Sequence, residues 1–532
     1  MWKKIVISLL LVLLIIAVTK GLFFSGNTQP YEKGTFFYKA KEPGYVWASA
    51  GTQYKLGKIG EFWLGKHYRD VWAVPIKAPI LNITNIFGGL QVGKQGGGMQ
   101  TISINLLGKK GRTYVLRSLD KDPINVLPPF WQRTIAADLV RDQISASNPY
   151  AALVVAPLAQ AANIYHTNPR IVFVSGSDVN FKKHHKLIKN KLFLLEEKYS
   201  APQSFASATT DTGLLDIVNS VEMLDKRFRY SQHQINQLGY AKSRLFDILL
   251  SDWDRHEGQW NWAAFQRGTN VVYVPVPKDR DQAFSKYHDG LIPWLLTRRF
   301  ALRKMGNFDE KISDVYAYTV NAAFLDERAL NGVTLPMLKK VAQQLQLALT
   351  DQVIEEAVKN FPAPVFNLVG QETTRKLKAR RDQLVEVAER YYKLLAEHVV
   401  VAGSDEQEKF VVKRLNNDQT AITIYQVDNR QKIIKPLYHR VFQTNETKSI
   451  TLHGLAGRDI FEVSGRVAVG IKINLVGGPG EDTFGDVSEV IQEKGKCLIY
   501  DTKKGNKIKW GKQTVDKTTK DIAVHLYDRE GF

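Results

Sequence analysis

Between Asp252 and Asp281 the chain places five carboxylates within thirty residues. Asp252, Asp254 and Glu257 form one cluster; Asp279 and Asp281 form a second. Acids this close repel one another unless something cationic sits among them. The first cluster, Asp252-Trp253-Asp254-Arg255-His256-Glu257-Gly258-Gln259, follows an apolar run, Leu245 to Leu250, that reads as the buried end of a helix. The second, Pro277-Lys278-Asp279-Arg280-Asp281, follows Val271 to Val276, whose alternation and β-branched residues predict a strand. A short strand pair between two acidic clusters lets both converge on one point. There one carboxylate can orient a nucleophile while another holds Mg²⁺ against a phosphate. The competing reading is a set of ordinary loop ion pairs beside Trp253 and Trp260.

The elements upstream must supply the opposite wall. Phe87-Gly88-Gly89-Leu90 and Gly93-Lys94-Gln95-Gly96-Gly97-Gly98 read as a glycine-rich loop, followed by a strand from Met99 to Leu107. Gly108 to Gly111 is a hairpin turn, and Arg112 to Ser118 is the return strand, carrying Arg117. Glycines let a backbone approach phosphates closely, and its N–H groups cradle anions. Gly88, Gly89, Gly96, Gly97, Gly98 and Arg117 are therefore the expected phosphate contacts, with Lys109, Lys110 and Lys121 as alternatives. Phe130 to Ala146 has helical spacing after Pro128-Pro129. Its Asp138 and Asp142 could pair with Arg117 or simply face solvent.

The two acidic segments resemble the catalytic segment of the CotH family of atypical protein kinases. That family carries an N-x-D-x-H-x-x-N loop, a hairpin and a P-W-D-x-D segment. The resemblance implies a catalytic role for Asp254, metal binding by Gln259 and Asp279, and Asp281 as a second metal candidate. It also implies Mg²⁺ and ATP as cofactors. The chain departs from the pattern at Asp252 (for Asn), Gln259 (for Asn), Lys278 (for Trp) and Arg117, which stands in Leu116-Arg117-Ser118 where the family has Lys. Gln still offers a carbonyl oxygen to a hard cation, and Arg can clamp a polyphosphate bidentately. Glycine-rich loop, strand, turn and cation-bearing strand is the order of a kinase small lobe, and Leu192 to Glu197 resembles the family's hinge strand. In GGL…GGG-x-Q-T and WDRH…DRDQAF the chain also resembles an uncharacterised family of bacterial envelope proteins.

Composition narrows the remaining possibilities. The 532 residues are 44% hydrophobic and 24% charged, enough for two to four domains with ample core. A single cysteine, Cys497, excludes an intramolecular disulfide and a Cys-based zinc site. A net charge of +20 calls for an acidic partner, yet the basic residues are spread along the chain without a nucleic-acid module, so nucleic acid is not expected. Lys3 and Lys4 precede the apolar run Ile5 to Val18, which reads as a signal peptide or membrane anchor placing the rest outside the cytoplasm.

Residues 25–80 are aromatic and Gly-punctuated, with a short helical patch near Lys58 to Leu64, and the whole stretch is expected to pack against the next module. Residues 200 to 213 read as a polar loop. From Leu291 to about Leu395 the pattern is helical. There Leu377 to Leu395 reads as one amphipathic helix, with Arg380-Arg381 on a solvated face. Beyond Gly403, Leu452 to Phe461 aligns with Leu475 to Phe484 at an offset of 23 residues, the spacing of solenoid rungs or a repeated hairpin. The wording around Asp459 and Asp482 resembles calcium-binding repeats, but those stack at nine residues, so turn scaffolding is expected there rather than Ca²⁺.

The expected architecture is α+β. A signal or anchor (1–24) and an extension (25–80) precede a kinase-like two-lobed domain (81–400), with its small lobe at about 81–200 and its helical lobe at about 214–400. An all-β solenoid or sandwich (404–532) follows. The expected function is an exported, Mg²⁺-dependent phosphotransferase carrying a group from a nucleoside triphosphate to a protein or envelope hydroxyl. The alternative is a catalytically inactive binding or assembly module of the cell envelope, held to the membrane by its N-terminal segment.

Overall fold

The computed structural model describes residues 10–19, 36–96, 101–206, 208–297, 303–492 and 495–531. They build a mixed α+β chain: a small sheet-based lobe, a helical lobe and a sheet-rich C-terminal solenoid. Residues 10–19 are helical, and among the described residues no helix is long and apolar enough to cross a membrane.

The small lobe is an antiparallel sheet in the spatial order Gln91–Gly96, Ser103–Leu107, Thr113–Ser118, Lys191–Glu197, Arg170–Val174. Alternation decides its faces. Ile104, Leu106, Tyr114, Leu116 and Leu195 fill a core on one side. The registers Ser103↔Arg117↔Leu194 and Asn105↔Val115↔Glu196 place Arg117 and Glu196 on the other. Gly97 and Gly98, with the predicted strand start at Met99, lie outside the described residues.

The helical lobe is organised on Gln237–Leu250, buried continuously from Ser243 to Leu250. It stops because Ser251 takes a left-handed conformation, φ 59°, in which its N–H still reaches the carbonyls of Asp247 and Ile248. The loop 251–259 then leads into Trp260–Arg267, paired along its whole length with Asn270–Pro277. Two helices, Ala363–Asp382 and Leu384–Ala396, replace the single helix expected over Leu377 to Leu395. Gln383 marks the break, its side chain bonded to Ile312 N–H and to the carbonyls of Glu310 and Ala379. Arg380 is not on a solvated face. It is fully buried and donates to the carbonyls of Ile248 (2.6 Å), Leu249 (2.7 Å) and Asp309 (2.8 Å). The last carbonyls of a helix have no partner within it, so a distant arginine caps the central helix. Residues 200 to 213 are not wholly loop, since Pro202–Phe205 forms one helical turn.

The solenoid runs from His398 to Asp516. In one parallel sheet His398–Ala402, Ser449–His453, Lys472–Val476, Cys497–Tyr500 and Val515–Asp516 stack in order. A second sheet stacks Glu408–Arg414, Ile460–Ser464, Thr483–Asp486 and Lys507–Lys509, with two antiparallel strands added at its edge. Residues 23 apart lie over one another: Leu452 on Leu475 and Phe461 on Phe484. The rings of Phe410, Phe461 and Phe484 stack at 4.6 and 4.9 Å between centroids. Acid side chains tie the rungs together. Asp459 Oδ1 accepts from Glu408 N–H (2.8 Å), Asp482 Oδ1 from Asp459 N–H (2.7 Å), and Asn506 Oδ1 from Asp482 N–H (2.6 Å).

Residues 36–80 add a three-stranded sheet, Phe37–Lys39, Tyr45–Ala48 and Ile76–Pro79. Tyr54, Tyr68 and Trp72 join the main core. The helix Lys58–Leu64 forms where expected; none of its residues is fully buried, and its end at Leu64 and Gly65 abuts Gly290.

Candidate functional site

The strand pair brings the two acidic clusters to one end of the helical lobe. Trp260 pairs with Pro277, so Gln259 lies opposite Lys278, and Lys278 N–H donates to Gln259 O (2.9 Å). Arg255 fastens this end. Its Nη1 donates to the carbonyls of Lys278 (2.7 Å) and Asp279 (3.0 Å), and its Nη2 to that of Gln259 (3.2 Å). Asp279 is held at φ 52°, a left-handed backbone that Asp tolerates better than most residues.

Arg255 is itself buried in a charge network. Asp247 receives Arg244 (2.9 Å), Arg255 (3.3 Å) and Arg280; Asp252 receives Arg280 (3.1 Å); Asp326 receives Arg244 (2.9 Å) and the hydroxyls of Tyr240 and Tyr391. Burial pushes the Asp252 carboxyl up to about 7 even though Arg255 and Arg280 pull it down. Asp252 is therefore structural: its carboxylate anchors the arginines that position Asp279.

Across the cleft, Arg117 reaches down from its strand. Its Nη1 lies 2.6 Å from Asp279 Oδ2 and its Nε 3.2 Å from Glu196 Oε1. Lys121 pairs with Asp281. Burial favours the neutral acid at Asp279, but Arg117 and then Lys121 outweigh it and hold the carboxyl down at about 2. Asp281 goes the other way: burial, then the neighbouring Asp279, raise it to about 6 against the pull of Lys121. The same residue feels Asp254, which sits at the rim with Oδ1 accepting from Asn321 Nδ2 (3.0 Å).

Two further cations complete the cleft. Lys198 Nζ reaches Asn105 Oδ1 (3.4 Å), and burial followed by Arg117 lowers its pKa. Lys278 is half-buried, and among the described residues its ammonium has neither a carboxylate nor a hydrogen-bond acceptor. Burial, with Arg117, Lys198 and Arg255 around it, brings it down to about 8. Arg117 and Lys121 thus meet Asp279 and Asp281, while Lys198 and Lys278 stand near enough to feel the charge of Arg117. Oxygen donors on two neighbouring carboxylates suit a hard cation. Among the described residues, however, no group of three or more His, Cys, Asp or Glu side chains stands ready to hold a metal, and both carboxylates are neutralised by protein cations.

Several expected residues lie elsewhere. Gly96 is level with Ser103, itself paired with Arg117, so it stands at the cleft end of the sheet. Gly88 and Gly89 do not. They precede the opposite end of the same strand, where Gln91 pairs with Leu107, roughly 15 Å away along the strand. Their φ values of 80° and 100° serve a local loop, closed by Gly89 N–H to Ile86 O and Leu90 N–H to Ile83 O. Lys109 and Lys110 belong to the turn at that same far end. Asp138 and Asp142 do not pair with Arg117. Asp142 takes both Nη atoms of Arg69 at 2.7 Å, and Asp138 lies beside Arg141. The helix lining the cavity beside Arg117 is Ala151–Ala161, which presents Ala152, Val155, Ala156 and Ala159 and no acid. Glu196, on the neighbouring strand, supplies the carboxylate instead. Sequence reasoning missed Glu196, Lys198, Arg255 and Asn321. Strand alternation could have placed Glu196, two residues from Leu194 and in register with Val115. Asn321, in an irregular stretch, gave no signal.

No family model matches the chain, and no curated protein matches it. Two solved structures are similar in part. A proinflammatory kinase of Helicobacter pylori, CtkA, is 14% identical with a TM-score of 0.32, over 59% of this chain and 98% of that one. A toxin–antitoxin complex of HipA, HipB and operator DNA from Shewanella oneidensis MR-1 is 13% identical with a TM-score of 0.27, over 56% of this chain and 67% of that one. At these TM-scores the likeness is partial, and what the cleft can do follows from its own residues.

Proposed function

We propose that the cleft binds the phosphates of a nucleotide and that the protein is a CotH-like phosphotransferase acting on a hydroxyl outside the cytoplasm. One observation carries this reading: Lys278, half-buried beside Arg117, Lys198 and Arg255, has no carboxylate in ion-pair contact among the described residues, and the Asp279 charge that it feels is already paired with Arg117. An uncompensated ammonium in such a place is stabilised by an anion with several negative oxygens. Arg117 and Lys198 stand on the sheet side and Lys278 on the hairpin side, so an extended phosphate chain meets donors from both lobes.

In this reading Asp279 and Asp281 would hold Mg²⁺, with the side-chain oxygen of Gln259 a third candidate; the metal would neutralise phosphate charge. Arg117 and Lys121 would exchange their present carboxylate partners for phosphate oxygens. Asp254, fixed by Asn321, would orient or deprotonate the acceptor hydroxyl. The expected test result is a rise in melting temperature with Mg²⁺ and ATP together, because a ligand bound only by the folded state stabilises it. Lys278→Met should abolish the rise. If neither ATP, ADP nor a UDP-sugar moves the wild-type transition at millimolar concentration, the nucleotide reading fails.

A second reading has its own support. Arg117–Asp279 and Lys121–Asp281 already satisfy one another, as expected of a site that has become a structural joint in an inactive envelope module. The same titration separates the two, since a joint shows no ligand-dependent shift.

A further inference from the structure

We propose that the helix pair Lys58–Leu64 and Leu291–Leu296 is a membrane-contacting face that seats the folded body on an anionic lipid surface. In Lys58–Leu64 the apolar residues Ile59, Phe62 and Trp63 fall at i, i+3 and i+4, the stripe that a helix of a soluble protein turns to its core. Here the stripe faces out, and no residue of the helix is fully buried. The adjoining helix exposes Trp294, Leu295 and Leu296. These six side chains are between 42% and 79% exposed.

The exposure is built into the backbone. Gly290 backs onto Leu64 and Gly65 so closely that a Cβ there would collide with their main chain. Asp289 accepts from His67 N–H (2.7 Å) and lies 3.0 Å from its ring Nε2. His67 Nδ1 in turn meets Ser145 Oγ at 2.9 Å. The two helices are thus anchored at their base and present their apolar residues from a fixed position.

The chemistry of the face selects a bilayer as its occupant. Trp, Phe, Ile and Leu beside the exposed Lys55, Lys58 and Lys66 have the composition of an interfacial helix, with apolar groups for the acyl boundary and cations for headgroups. Tryptophan in particular favours that boundary. A net charge of +20 complements anionic lipid. The chain also carries the apolar run Ile5 to Val18, whose described part, residues 10–19, is a helix with its side chains in solvent. A body brought to a bilayer by that run would have a second apolar face to rest on.

The test uses the full chain with an environment-sensitive fluorophore on Phe62→Cys, on Leu295→Cys and, as control, on Leu347→Cys, which is also highly exposed; native Cys497 is buried. Each variant must first match wild type in circular dichroism. Vesicles of phosphatidylcholine with phosphatidylglycerol should shift the emission of labels at 62 and 295 to the blue. Nitroxide-bearing lipid should quench them several-fold while leaving the label at 347 unchanged, and phosphatidylcholine alone should give a smaller effect. Labels at 62 and 295 that stay in water on lipid-bound protein would overturn the proposal, as would failure to associate with vesicles at all. Shielding of these labels before lipid is added would also overturn it, pointing instead to a second copy or to the chain's own apolar run.

Discussion

Replacing Asp482 with Asn should stabilise the solenoid, and the gain should depend on pH. Asp482 Oδ1 accepts the N–H of Asp459, while its Oδ2 is buried with no hydrogen-bond partner among the described residues. Asp501 Oδ2 is buried too, with only the backbone of Gly477 to relieve it among the described residues, and both oxygens crowd the space where a side chain on Gly477 would lie. Burial raises the Asp482 carboxyl to about 7, against the pull of the Asp459 N–H and with a push from Asp501. In the unfolded chain it titrates near 4. Between these two values the folded state holds a proton that the unfolded state releases, so wild-type stability falls as pH rises from about 4 to about 7. Above that window the ionised carboxylate stays buried, at a cost of up to about 4 kcal/mol for a three-unit shift. An asparagine keeps the acceptor and cannot ionise. Its Nδ2 also faces Asp501 Oδ2, and Asn506 already fills the equivalent position one rung on. Urea denaturation at pH 5 and pH 8 should therefore show Asp482→Asn gaining about 2 kcal/mol or more over wild type at pH 8, and much less at pH 5. Equal gains at both pH values, or a loss at pH 8, would refute the reasoning.

Other outcomes are open to the same measurements. Arg380→Leu should lower stability by about 1–3 kcal/mol in chemical denaturation, because it leaves the buried Leu249 carbonyl at the end of Gln237–Leu250 unpaired. Glu408 is raised to about 7 by burial although Ser404 bonds both of its oxygens, so Glu408→Gln should likewise flatten the stability–pH curve between about 4 and 7. Lys278→Met should leave the unliganded melting temperature unchanged or raise it, since it removes a cation that neighbouring cations repel. Asp254→Ala should leave any nucleotide-dependent shift intact while lowering the transfer rate at least a hundredfold, measured by transfer of labelled phosphate to an acceptor.

Much of the architecture is legible in local patterns. The apolar run Leu245 to Leu250, the strand Val271 to Val276 and the 23-residue offset each rest on contacts between chain neighbours or adjacent rungs, which periodicity encodes directly. Pairings that close over long distances leave no such trace. Nothing around Arg380 announces that it caps a helix more than a hundred residues earlier, and its helical spacing is equally consistent with solvent. Acids on a helix near a basic strand are common partners, which makes Asp138 and Asp142 natural candidates, but the chain takes a further turn and lays Ala151–Ala161 beside Arg117 instead. Gly88 and Gly89 show a different limit. Glycine marks a backbone need, and here that need is a left-handed loop at the wrong end of the sheet for the site. The outward stripe on Lys58–Leu64 has the same spacing as a buried one, since periodicity reports that a face exists and not what covers it.

The stacking of residues 23 apart also governs how this part of the chain can change in length. The rungs through Phe461 and Phe484 find their hydrogen bonds, their aromatic stack and their acid ladder in the rung beside them, so the structural unit is the whole repeat. Stability in such an array is close to a sum over rungs and the interfaces between them. Inserting or removing one complete repeat would preserve every neighbour relation. An insertion of a few residues within a strand would shift Phe461, Asp459 and Leu452 out of line with their counterparts together. The tolerated lengths are therefore quantised, and variation smaller than a rung is confined to the corners between strands.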